Sequence, residues 1–156
     1  MLKAVGVSAG VLAMAVMAVG STGPAQGSGA QQAAGSTVRV YSTNTEESFV
    51  DVGNDGPGLG DMFVFRSNLA RGGHRVGHTG VVCTITSAHH DESQCLGSAK
   101  INGQGELTIQ GLIAGNPKSF SFAITGGTGA YEGARGTLTV YEVSNKVERL
   151  TFTITN

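Results

Sequence analysis

Few side chains in this chain have the type and spacing to do chemistry, and most of those few are better read as structural. The run His89-His90-Asp91-Glu92 holds four metal-capable side chains. Adjacent residues in a strand or turn point in divergent directions, whereas a metal needs convergent ligands at fixed distances, so we read this run as a solvated hairpin tip and expect no metal. The glycine-rich segment Gly126-Gly127-Thr128-Gly129-Ala130-Tyr131-Glu132-Gly133 looks at first like a phosphate cradle. It has glutamate where the dinucleotide fingerprint requires glycine, and no helical pattern follows to present an N-terminus to a phosphate. A tight turn followed by a bend in the next strand is the expectation there, and no nucleotide or other cofactor is expected. Cys83 and Cys95 are the chain's only cysteines. Asn44, Phe63, Phe65 and Tyr131 remain as candidates to line and orient a small ligand: the aromatics supply apolar wall, and Asn44 and the Tyr131 hydroxyl supply directed hydrogen bonds.

The elements that must position these residues are strands. From residue 37 onward apolar and polar side chains alternate with period two, most clearly in Leu150-Thr151-Phe152-Thr153-Ile154-Thr155, and no stretch shows helical spacing. Eight strands are expected, over 37–45, 61–67, 76–86, 94–101, 106–114, 118–125, 131–143 with a glycine break, and 147–155. Arg71-Gly72-Gly73, Asn102-Gly103, Gly115-Asn116-Pro117 and Ser144-Asn145 supply turn chemistry between them. Hairpin-length links make an up-and-down meander, and closing it removes the exposed edges, so the expected fold is all-β, an eight-stranded antiparallel barrel. Such a barrel is either filled by side chains or just wide enough for one small ligand. A hairpin centred near His89 places Cys83 opposite Cys95, the arrangement a cross-strand disulfide needs.

Composition excludes several function classes. Of 156 residues 13% are charged and 25 are glycine, which argues against a helical bundle or coiled coil. The net charge is -1 and the ten basic residues are dispersed, so no nucleic-acid partner is expected. Residues 1–30 begin Met1-Leu2-Lys3, continue through an uncharged Ala-, Val- and Gly-rich stretch, and reach small residues near Ala25 and Ala30. That order is a secretory signal peptide with its cleavage region, not a stable membrane anchor. Residues 31–36 follow as a disordered tail, and residues 37–156 form the barrel domain of a secreted protein, in a compartment that favours the disulfide.

The segment Ala123-Ile124-Thr125-Gly126-Gly127-Thr128-Gly129-Ala130-Tyr131-Glu132-Gly133-Ala134-Arg135-Gly136 resembles the late strand pair of plant allene oxide cyclases. Within it, Gly126-Gly127-Thr128-Gly129 and Ala134-Arg135-Gly136 are similar to the dirigent-protein signature. Upstream, Gly60-Asp61-Met62-Phe63-Val64-Phe65, Gly80-Val81-Val82-Cys83 and Gly105-Glu106-Leu107-Thr108-Ile109-Gln110-Gly111 continue the likeness in order and spacing. The resemblance implies a barrel whose lumen takes an apolar substrate and steers ring closure or coupling, an isomerase or cyclase activity in the family's enzymes. The plant enzymes' strand-one motif, a glutamate followed two residues later by asparagine, meets Ser42 and Asn44 here, so the asparagine matches and the acid does not. Their lumen tyrosine near the fifth strand has no counterpart, Gln104 standing nearest. Cys83 matches a family cysteine, and a disulfide is expected to remove it from ligand contact. Two functions follow: a barrel that positions a small apolar organic molecule, or a solidly packed barrel that works through surface contacts or self-association, as a homo-oligomer.

Overall fold

The computed structural model describes residues 35–53 and 56–155. The expected signal peptide and most of the tail lie outside the described residues. Eight strands run in chain order: β1 Ser36–Val50, β2 Met62–Arg71, β3 His74–Ser87, β4 Glu92–Ile101, β5 Gly105–Ala114, β6 Ser119–Gly127, β7 Arg135–Ser144 and β8 Val147–Thr155. Each pairs antiparallel with the next, and β1 closes the barrel on β8 through Val40↔Leu150 and its neighbours. No helix among the described residues is long and apolar enough to cross a membrane.

Alternation decides which side chains face inward. On β8, Leu150, Phe152 and Ile154 are buried, while Thr153 and Thr155 between and beyond them are exposed. Their inward-facing partners on β7 are Val140, Leu138 and Gly136. The β2–β3, β4–β5 and β6–β7 connections share one end of the barrel, and there Leu69, Ile101, Leu107, Ile124 and Ala134 pack the lumen shut, each no more than 4% exposed. Gly72 and Gly73 make the β2–β3 hairpin turn with φ of 57° and 80°. Two successive positive φ values match the right-handed strand twist and favour glycine at both places.

Three of the expected strands change, among them 61–67, which starts at Met62 and runs on to Arg71 as β2. The strand expected from residue 131 starts at Arg135, because Gly129–Tyr131 forms a single 3-10 turn, with Tyr131 N–H donating to the Thr128 carbonyl and Ala134 N–H to that of Tyr131. Gly129 and Gly133, at φ of 62° and 75°, bend the backbone out of the sheet on both sides of that turn. β1 extends past residue 45 to Val50, because a bulge between Asn44 and Glu46 resets its register and lets pairing continue to Val50↔Met62.

Candidate functional site: a cavity at the open end of the barrel

The other end of the lumen is not filled. A cavity of about 610 Å³ opens there, and all eight strands contribute to its wall. Its surface is mainly apolar. Phe152 and Leu138 form a buried part of the wall, Phe120 and Phe122 stand edge to face with centroids 5.3 Å apart on one side, and Phe63 and Phe65 line the opposite approach. Gly111 makes room for that aromatic pair, since a Cβ there would come within 2.7 Å of the Phe122 ring. Among these walls stand a few polar groups: Ser42, Thr79 and Ser93 as hydroxyls, and Glu148 as a carboxyl. Nearer the mouth lies a second hollow of about 500 Å³, which shares Phe65, Phe120, Asn116 and Glu148 with the first and adds Asn44, Ser67, Glu142 and Lys146.

Of the residues singled out from sequence, Phe63 and Phe65 therefore line the cavity, and Asn44 lies at its mouth. There Asn44 Nδ2 donates to Glu47 Oε2 at 2.6 Å, while Asn44 Oδ1 has no hydrogen-bond partner. Tyr131 is placed elsewhere. It sits at the closed end of the barrel, outside the cavity wall, where its hydroxyl donates to Gln104 Oε1 and burial pushes its pKa above the ordinary value, offset in part by the positive charge of Arg71. Cys83 and Cys95 are register partners on β3 and β4 and are joined by a disulfide. Bonding was expected to remove Cys83 from ligand contact; both cysteines nonetheless form part of the cavity wall. What the bond removes is thiolate chemistry; the sulfur surface remains. His89 and His90 lie on the exposed β3–β4 tip, and among the described residues no three His, Cys, Asp or Glu side chains are grouped to hold a metal ion.

Two acidic residues that sequence reading passed over shape this end. Asp61 is 1% exposed, and its carboxylate accepts the backbone N–H groups of Val52 at 2.8 Å and Gly58 at 2.7 Å. Its carbonyl also accepts Ile85 N–H at 2.8 Å, so the long β1–β2 connection is tied down beside the mouth. Glu148 faces inward on β8, and its pKa is raised above the ordinary 4.5, first by burial and then by the negative charge of Glu142, its β7 register partner. A strand-two signal for Asp61 was present in Gly60-Asp61. For Glu148, alternation alone showed only that it shares a face with Leu150 and Phe152.

Fold and cavity together define a closed, up-and-down antiparallel barrel that is packed at one end and hollow at the other. The family described as allene oxide cyclase barrel like domain matches residues 36–154, and the chain belongs to it. Among solved structures, a pyocyanin demethylase is similar over 76% of this chain and 99% of its own, at 29% identity and a TM-score of 0.69. A pterocarpan synthase dirigent protein aligns over 88% and 96% of the two chains at 17% identity and a TM-score of 0.67. A heme-binding cyclase that catalyses a cycloaddition during neoabyssomicin biosynthesis aligns over 78% and 64% at 10% identity and a TM-score of 0.60. At such identities the last two show the shared fold alone. A search of curated proteins returns no match.

Proposed function

We propose that this chain is an exported barrel that holds a small, largely apolar organic molecule in its lumen and steers its cyclisation or coupling by positioning. The observation that carries this reading is the cavity of about 610 Å³, inside the usual range for small-molecule sites and walled by aromatic and aliphatic side chains with only a few polar groups. Catalysis in such a site comes mainly from holding reacting atoms in a near-attack geometry away from water, which requires no resident cofactor. The 29% identity with a protein named for acting on pyocyanin supports a small organic molecule as the occupant. Export rests on the N-terminal sequence pattern, and the Cys83–Cys95 disulfide is consistent with an oxidising compartment.

Native mass spectrometry of protein recovered from its own culture medium tests both halves of this proposal. The expected result is a chain cleaved near Ala25 or Ala30, lighter by two hydrogens than the dithiol, and carrying a reproducible small organic adduct. An uncleaved chain overturns export. A chain that carries no adduct and takes up no hydrophobic probe overturns the lumen reading in favour of a barrel working through its surface.

A further inference from the structure

Glu148 occupies a position that an apolar lumen does not explain. The residues sharing its face on β8 are Leu150, Phe152 and Ile154, each no more than 4% exposed. Its neighbours across the ladders are Ser42 on β1, 3% exposed and also part of the cavity wall, and Glu142 on β7. The ion pairs among the described residues are Arg66–Glu46 and Lys100–Glu106, so no cation is paired with Glu148. The other charged groups near the mouth are Glu47 on β1, Asp91 at the β3–β4 tip, Glu142 on β7 and Lys146 in the β7–β8 turn. From β2 and β6 the mouth receives only neutral groups, Phe65, Ser67 and Phe120, while the β5–β6 loop brings Asn116, Pro117 and the exposed Lys118, whose carbonyl accepts the Glu142 N–H at 2.9 Å. Three acids against two lysines, of which Lys118 is exposed and neither is paired with Glu148, make an environment that resists a further negative charge on Glu148.

We infer that Glu148, in its protonated form, is the hydrogen-bond donor of the lumen and selects apolar ring molecules that carry one neutral acceptor, a carbonyl oxygen or ring nitrogen. This inference rests on the lumen reading above and adds the chemistry by which the lumen chooses its occupant. A carboxyl whose ionisation is opposed by burial and by Glu142 keeps its proton to higher pH than an exposed glutamate. Because both cavities share Glu148, a skeleton seated among Phe120, Phe122 and Phe152 brings a single polar atom at its outer end to that carboxyl. A ligand lacking the acceptor covers the carboxyl without giving its proton a partner, and a ligand bearing an anion meets repulsion from the acidic rim.

The test compares two probes of one shape, fluorene and its ketone fluorenone, by fluorescence and competition titration of the oxidised protein. Wild-type protein is expected to favour the ketone by about tenfold in acid, where Glu148 is protonated, with the preference shrinking as the pH rises through its raised pKa. Glu148→Gln keeps an N–H donor and is expected to retain the preference without its pH dependence. Glu148→Leu is expected to lose the preference while still binding fluorene. Glu142→Gln removes the like charge and is expected to move the pH midpoint down. Equal affinity for both probes at every pH in the wild type, or a ketone preference that survives in Glu148→Leu, overturns the inference and leaves the lumen reading standing. Failure of both probes to bind overturns the lumen reading itself.

Discussion

At position 148 the barrel keeps a carboxyl where the hydrophobic pattern calls for an aliphatic side chain, and stability records the cost. The folded-state pKa is raised above the ordinary 4.5. Well below pH 4.5 the group is protonated in both folded and unfolded chains and costs nothing. As pH climbs from there through the raised value, the folded state holds the proton the unfolded state has released, so stability falls across that window. Glu148→Gln is therefore expected to melt at a higher temperature than wild type near neutral pH, with the difference vanishing in acid, as thermal unfolding followed by circular dichroism across a pH series would show. Asp61 is the opposite case, an acid whose burial is matched by two backbone donors. Asp61→Ala leaves the Val52 and Gly58 amides without their acceptor, and we expect a loss of about 2–3 kcal/mol in urea denaturation. Amide exchange at Val52 and Gly58 should quicken well beyond the change at the opposite end of the barrel.

Between strands, the β3–β4 and β5–β6 pairs set the shape of the cavity. The disulfide closes a short loop, with the two cysteines 12 residues apart in sequence. Reduction, or the paired change Cys83→Ser with Cys95→Ser, is expected to cost about 2–3 kcal/mol of unfolding free energy while leaving the far-ultraviolet spectrum unchanged. On β5, Gly111 is the position over which the Phe122 ring rests. Gly111→Val must displace that ring, and we expect a loss of about 1–3 kcal/mol together with altered probe affinity, because the displaced ring lines the cavity. A stability loss with unchanged probe binding would place the probe away from β5 and β6.

For the molecule as a whole, the sequence carried the topology well and the site only in part. Strand order and closure were legible because period-two alternation and hairpin-length links leave few ways to satisfy every edge, and Cys83↔Cys95 fell directly opposite as the hairpin symmetry required. The extension of β1 to Val50 was missed because a bulge at Asn44 shifts the parity that marks a strand. A turn was expected in the glycine-rich segment, but Tyr131, the last residue of the 3-10 turn, was read into β7 because Tyr131 and Leu138 are both apolar and buried, one in a turn and one in a strand. Alternation sorts side chains into two faces without saying how far along the barrel the lumen stays filled. For that reason Tyr131, at the packed end, and Phe65, at the hollow end, looked equivalent. Glu148 was hidden for a related reason: in Glu148-Arg149-Leu150 a charge beside a charge reads as a solvated strand end until the β7–β8 hairpin sets Glu142 and barrel closure sets Ser42 against it.

The claim on which the rest depends is that the hollow end of the barrel accepts a small apolar molecule. Ser93 lines that space from β4 and is only half-buried, so Ser93→Phe projects a ring into open cavity with little to displace. Titration of the neutral fluorophore N-phenyl-1-naphthylamine against wild type and Ser93→Phe, with thermal unfolding as a check that both fold, is the most direct measurement. Saturable one-to-one binding by wild type that weakens tenfold or more in an equally stable Ser93→Phe is the predicted result. Equal affinity in the two proteins, or no saturable binding in either, would contradict it.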